Sequence, residues 1–321
     1  MTENVKIGVV IQGPLSSRGR TGATAHIGFF QVTQSDVVDY DCTPNIVELF
    51  SQYSHKFDDF VCVTWDTEDT SELEAKIGKQ AVMSIADTTL IQNAKGAIIN
   101  GNNKYRQFLS TLKGLERLAK NGCAYALKIR TDQYLDLSKM KEHLLKILVE
   151  KNNTNRILVP AGNMQSPDQV EDFYFGARTD RLIDACKVFL DKPELFSSVH
   201  DDFFYKCAWL FDNGSSWPPS DSFTPAGKYS KSQYLVIQSA WSTTFGTFPR
   251  KVYETLVWRG EKFPKSFFDN FFYDNLSPSD LALLISSKIK IRIFPKIHVK
   301  ILKWLPAPVK KLVKRLIGLL S

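Results

Sequence analysis

Beyond Asp280 the chain has no acidic residue, while Lys288, Lys290, Arg292, Lys296, Lys300, Lys303, Lys310, Lys311, Lys314 and Arg315 place ten positive charges there. The 321 residues carry a net charge of +7, so taking those ten away leaves about −3 for the rest. The basic balance belongs to the tail, which excludes a nucleic-acid footprint spread over the body. Cysteine is scarce: Cys42, Cys62, Cys123, Cys186 and Cys207 are odd in number and have no CxxC spacing. That excludes a disulfide framework or zinc site and leaves buried free thiols. No run reaches the ~18 apolar residues of a membrane span. Met1 to Lys6 leads into Ile7-Gly-Val-Val-Ile11 without the flanks of a signal peptide, so the expected compartment is the cytoplasm. A P-loop, a Rossmann GxGxxG, a serine or cysteine triad, a haem motif and internal repeats are all missing. The histidines, His26, His55, His143, His200 and His298, do not cluster and are expected to be structural.

What is present suffices for a large core, with 43% hydrophobic and 23% charged residues. Val5 to Gln12 reads as a buried parallel strand closed by Gly13-Pro14. Ser16 to Gly28, with three glycines, Arg18 and Arg20, reads as a basic loop that either wraps a phosphate or lies on the surface. Thr43-Pro44 predicts a helix start, with Thr43 as its cap. Phe60 to Trp65 and Gln80 to Ala86 read as strands. Asn103 to Lys120 is the best helix: Phe108, Leu112, Leu115 and Ala119 share one arc, and Asn103, Gln107, Ser110 and Gly114 another. The second, small and polar arc either admits a close neighbour or faces solvent. Leu137 to Glu150 and Arg181 to Leu190 are expected helices, Arg156 to Val159 a strand, and Asp172 to Gly176 a short strand opening on a carboxylate. His200-Asp201-Asp202 opens an aromatic run, and Asp212 to Gln233 reads as a long loop.

This alternation implies an α/β fold with an open, mostly parallel sheet, helices on both faces, and a site at the carboxyl ends of the strands. The stretch of greatest interest is Tyr125 to Asp132. Tyr125, Leu127, Ile129 and Thr131 fall on one face, while Ala126, Lys128, Arg130 and Asp132 share the other. Three charges on one face of such a strand suggest either a site or a solvated edge. Gln12 and Asp132 both fall at carboxyl ends. A carboxylate there can bind a metal or take a proton, and Lys128 with Arg130 can neutralise a diphosphate. Such groups suit transfer from a nucleotide-activated donor, whose leaving group is an anionic phosphate.

Ile11-Gln-Gly-Pro-Leu15, Asn103 with Arg106-Gln107 and Gly114-Leu115, Leu127-Lys-Ile-Arg-Thr-Asp132, and Asp172 with Phe175-Gly176 occur in that order. Over Val5 to Trp209 the chain resembles the WavE family of lipopolysaccharide-synthesis proteins. The resemblance implies a bacterial surface-polysaccharide glycosyltransferase with a GT-A-like fold. It puts Gln12, Gly13, Asn103, Arg106, Gln107, Lys128 and Arg130 at the donor, and Asp132 in the place of the second carboxylate of the Asp-x-Asp motif. Arg130 stands where that motif has its first Asp, so a Mn²⁺ or Mg²⁺ ion at Asp132 is expected only if the reaction is metal-dependent. Asp172, Asp201 and Asp202 are candidate bases; Asp172 falls on the family pattern, and the other two also suit a helix cap. The rival readings are a noncatalytic nucleotide- or sugar-binding protein and a metal-dependent hydrolase using Asp132.

Three segments are expected: a nucleotide-sugar-binding and catalytic domain over 1–211, a loop and acceptor-side extension over 212–280, and a basic amphipathic tail over 281–321. In the tail Val309, Leu312, Val313, Leu316, Ile317 and Leu320 recur at helical spacing between lysines and arginines, as in a helix lying in a membrane interface. The alternative is a helix packed on the body. The expected partners are therefore a nucleotide sugar, a lipid-linked or lipopolysaccharide glycan acceptor and the anionic inner leaflet. The location would be peripheral, on the cytoplasmic face of the bacterial inner membrane, with no nucleic-acid partner.

Overall fold

All six residues of Ile7–Gln12, strand β1, are buried. A strand with no exposed face belongs inside a sheet covered on both sides. In the computed structural model, which describes residues 5–25, 33, 36–87, 90–92, 98–100, 103–150, 155–164, 166–191, 199–211 and 231–273, β1 pairs in parallel with two neighbours. These are β2 (Asp59–Trp65) and β4 (Tyr125–Arg130). The others are β3 (Val82–Ile85), β5 (Ile157–Val159), β6 (Phe175–Arg178) and β7 (Phe245–Thr247). The seven-stranded order is β7-β5-β6-β4-β1-β2-β3, with β6 antiparallel to β4 and β5. The fold class is the expected one, an α/β fold on a mostly parallel sheet. The chain winds from β1 outward through β2 and β3, then returns to place β4 on the other side of β1. The β1–β4 boundary is thus a topological switch point, where ligands bind beyond the carboxyl ends of such strands.

Successive residues of β1 enter different cores. Ile7, Val9 and Ile11 pack with Ile46 and Leu49 of α1 (Thr43–Tyr53), Leu73 of α2 (Ser71–Ile77) and Met140 of α4 (Leu137–Leu144). Val10 packs with Phe108 and Leu115 of α3 (Asn103–Lys120), Leu182 of α5 (Thr179–Leu190) and Phe203 of α6 (Val199–Phe211). The small, polar arc of α3 faces this second layer. A Cβ on Gly114 would lie 2.4 Å from Val10 Cγ1, and Ser110 Oγ donates to Gln12 Oε1 at 2.8 Å. The close neighbour of that arc is the sheet itself.

Several expectations are corrected. Lys128 is not free to neutralise a diphosphate beside Arg130: its face of β4 is covered, the residue is wholly buried, and its Nζ lies 4.8 Å from the Phe175 ring. Asp172 does not open a strand, because β6 begins at Phe175. Ser16–Gly19, read as part of a loop, is a strand paired antiparallel with Val38–Asp41. The cap of α1 is Cys42 rather than Thr43, and the Asp41 carboxylate accepts from the Thr43 N–H at 2.9 Å. The aromatic run Phe203–Tyr205 lies within α6, in line with the helix expected after Asp201-Asp202. A helix, α7 (Lys231–Ser239), starts inside the stretch read as a long loop. All five cysteines are free and buried, as expected. Residues 281–321, including the amphipathic tail, lie outside the described residues.

Candidate functional site

A cavity of about 460 Å³ opens at the switch point. It is lined by Gln12, Gly13, Pro14, Ser16, Ser17, Arg18, Trp65, Glu68, Asn103, Arg106, Gln107, Arg130, Thr131, Asp132 and Arg259. Gln12, Gly13, Asn103, Arg106, Gln107, Arg130 and Asp132, separated by up to 120 positions in sequence, are brought together. The floor is made where the paired ends of β1 and β4 leave the sheet. Gly13 has φ +136°, and a Cβ there would sit 2.6 Å from Thr131 Oγ1. Thr131 ties the two exits together by donating through its N–H to Gln12 O at 3.0 Å and through its hydroxyl to Pro14 O at 2.8 Å. Asn45 of α1 holds the turn after β4 by donating to Thr131 O and Gln133 O at 2.7 and 2.8 Å.

Asp132 is 3% exposed and accepts bonds from several directions. Arg130 grips it through Nε to Oδ1 at 3.0 Å and Nη2 to Oδ2 at 2.9 Å. Onto Oδ2 also converge Arg259 Nη2 at 3.0 Å, Trp258 Nε1 at 3.0 Å and Ser17 Oγ at 3.2 Å. Burial alone would raise the Asp132 pKa. The Arg130 and Arg259 charges, with the Trp258 and Arg130 hydrogen bonds, outweigh it and hold the carboxyl below the ordinary value.

Arg259 escaped the sequence analysis. It sits in a two-residue hairpin turn with Gly260, between Val257–Trp258 and Glu261–Lys262, and Trp258 pairs with Glu261. Both turn residues have positive φ, +48° at Arg259 and +81° at Gly260, as a type I′ turn requires. A side chain at positive φ is uncommon and is tolerated where the surroundings hold it. Here the Arg259 N–H donates to Asp132 O at 2.9 Å, Nε to Ser17 Oγ at 2.9 Å and Nη1 to Arg20 O at 2.6 Å. The guanidinium lies 4.6 Å from the Trp258 ring. The available signal was the Arg-Gly pair between two short extended runs, but nothing local tied it to Asp132. Trp65 and Glu68 were missed as well. Glu68 accepts the Leu15 N–H at 2.9 and 3.0 Å and the Thr64 hydroxyl, so it binds the β1 exit loop to β2. On the opposite wall Arg106 pairs with Asp87 at 2.8 Å and lies 4.5 Å from the Trp65 ring.

Lys128, Asp172 and Asp202 do not line this cavity. Lys128 and Asp172 form a sealed cluster beneath it: Lys128 Nζ donates to Asp172 O at 2.8 Å, and Gln107, which does line the cavity, donates to Asp172 Oδ2 at 2.9 Å. Burial pushes the Lys128 pKa down to about 7. Burial also works against the Asp172 carboxylate, but the His200, Lys128 and Arg130 charges and the Gln107 bond overcome it and lower its pKa. Asp202 is a buried residue of α6, and nothing is described for the Asp201 side chain.

The donor set does not fit a divalent ion at Asp132. Two guanidinium groups already occupy that carboxylate, and among the described residues no group of three His, Cys, Asp or Glu side chains converges. Of the cavity's charged groups, Arg18, Arg106, Arg130 and Arg259 stand against Glu68 and Asp132, four positive against two negative. The arrangement suits an anion with several oxygens.

No family model matches the chain, and no curated protein matches it, so the WavE resemblance rests on the residues quoted above. Among solved structures it is similar to a cytidylyltransferase from Leptospira borgpetersenii serovar Hardjo-bovis. The identity is 12%, the TM-score 0.36, and the match covers 90% of this chain and 97% of that one. It is also similar to mannose-1-phosphate geranyltransferase from Thermus thermophilus, at 10% identity and TM-score 0.30, covering 62% and 67%. Likenesses this distant leave the functional argument to the cavity's own residues.

Proposed function

We propose that this protein is a glycosyltransferase that takes a sugar from a nucleotide-activated donor and adds it to a growing bacterial surface glycan. The observation that carries the reading is the arginine-rich cavity at the switch point, because glycosyl transfer from such a donor releases a phosphate anion. Charge developing on that leaving group is stabilised by fixed cations in a site of low dielectric. Arg130 and Arg259 are preorganised for this by Asp132, so they need little rearrangement as the charge appears. Gln12, Gly13, Asn103, Arg106 and Gln107 complete the donor site in this reading. Lys128 and Asp172 lie beneath it and act on it through Gln107 and through their charges on Arg130.

The two carboxylates in the cavity are both engaged, Asp132 by arginines and Glu68 by the β1 exit loop. That weighs against a hydrolase using Asp132 with a metal. The acceptor is expected to be lipid-linked or a lipopolysaccharide glycan, brought near by the basic tail at an anionic leaflet. No described helix is long and apolar enough to cross a membrane, and each Lys or Arg near such a leaflet contributes about 1 kcal/mol.

The test is to incubate the full chain with a panel of labelled nucleotide sugars and a bacterial membrane extract. Label should move to lipid or glycan in an Arg130-dependent way. Free sugar without acceptor labelling would establish hydrolysis instead, and donor binding without turnover would establish a binding protein.

A further inference from the structure

We infer that the Arg130–Asp132–Arg259 unit binds the diphosphate of the donor without a divalent cation, and that Asp132 is a positioning residue rather than a metal ligand or a base. The inference rests on the nucleotide-donor reading above and deepens it. A carboxylate that serves as a metal ligand needs a lone pair aimed at the ion and no competing cations against it. Asp132 has the opposite surroundings: two arginines, an indole N–H and a hydroxyl reach it within 3.2 Å.

The same contacts fix the arginines. Arg130 spends Nε and Nη2 on Asp132, and its Nη1 makes no hydrogen bond among the described residues. Arg259 is held at both Nε and Nη1 by groups of the Ser16–Gly19 strand and its exit. Both side chains border the cavity. Two planar cations anchored to one buried carboxylate supply a +1 unit with fixed donors, which is the electrostatic work a metal does between neighbouring phosphate oxygens. The type I′ turn gives an independent reason for this reading. Arg259 occupies a backbone conformation that disfavours side chains, and that conformation sets its guanidinium at Asp132.

The experiment uses the full chain, stripped with EDTA, and titrates UDP, GDP, CDP and ADP by calorimetry in EDTA, in Mg²⁺ and in Mn²⁺. At least one nucleoside diphosphate should bind with dissociation constants that agree within threefold in all three buffers. Arg259→Lys and Arg130→Lys keep the charge but lose the fork, and each should weaken that binding tenfold or more in a protein that circular dichroism shows to be folded. Since Asp132 acts through the arginines, Asp132→Asn combined with Arg259→Lys should cost no more affinity than the worse single change. Binding that collapses tenfold in EDTA and returns with Mn²⁺ or Mg²⁺ would overturn the inference while leaving the donor reading intact. Cation-free binding unaffected by both lysine variants would also overturn it. If no nucleoside diphosphate binds in any buffer, the donor reading itself fails and takes this one with it.

Discussion

Two clusters of opposite charges lie within a few residues of each other on β4 and behave differently. Arg130 and Asp132 border the open cavity, whereas Lys128, two residues upstream on the same face, is sealed with Asp172 beneath Phe175. Both carboxylates have lowered pKa values because cations oppose their burial. The difference lies in what covers them. Phe175 and the Asp172–Phe173 backbone cover Lys128, whereas Arg130 at the carboxyl end of β4 borders the cavity beside the first turns of α3. A lowered pKa therefore marks a paired carboxylate, and only the cover distinguishes a ligand site from a structural one.

The largest expected effect tests that distinction directly. Arg130→Ala should weaken nucleoside diphosphate binding by about a hundredfold, in line with two charge-assisted bonds at roughly 1.5 kcal/mol each. Lys128→Met should change it by less than threefold; calorimetry on both variants reads the contrast, and comparable losses would merge the two clusters into one site.

Stability should show the reverse ranking. Asp172→Ala takes away the carboxylate that accepts from Gln107 and opposes the buried Lys128 charge, while Lys128 keeps the Asp172 and Phe173 carbonyls, so the change should cost about 1–3 kcal/mol. Denaturant melts would read this. Because the folded pKa of Asp172 is depressed, its stabilisation is present above the unfolded carboxylate value and lost as pH falls through the folded one. The variant's melting temperature should therefore be flatter than wild type on the acid side.

Packing beneath the cavity gives a further test. Gly114→Ala places a methyl 2.4 Å from Val10 Cγ1 and should destabilise by about 1–3 kcal/mol, with donor affinity falling only as far as α3 is displaced. Thermal melts with and without nucleoside diphosphate separate the two.

A slope with pH, rather than a single value, tests the Lys128 titration. Its folded pKa, about 7, lies below the unfolded value near 10.4, so the unfolded chain binds more protons between the two. Stability should therefore rise with pH from about 7 to about 10.4 in wild type, and Lys128→Met should remove that slope. Chemical melts across this window would show it, and an unchanged slope would assign the titration to another group.

The parts legible from sequence were those with a local cause. The apolar run Ile7–Ile11, the periodicity of α3 and the alternation of Tyr125, Leu127 and Ile129 are set by neighbours within a turn or strand, and the structure has them where expected. So is the placing of a cavity at the carboxyl ends of the strands, which follows from alternating strands and helices, whereas the switch point itself came with the strand order. Period-two alternation assigns Lys128 and Arg130 to one face, but it carries no information on what covers that face. The cover comes from the Asp172–Phe175 segment, more than forty positions away in sequence, which buries Lys128 and leaves Arg130 at the cavity. Arg259 is the clearest case: 127 positions beyond Asp132, in a two-residue turn with no periodic signal, it reaches the site only because Val257–Trp258 pairs with Gln133–Tyr134. Local pattern determines which residues can form an element and which face each shares. Long-range strand pairing and cover, which depend on the whole chain collapsing together, decided which charges meet, which are sealed, and that the carboxylate at the end of β4 would be held by two arginines.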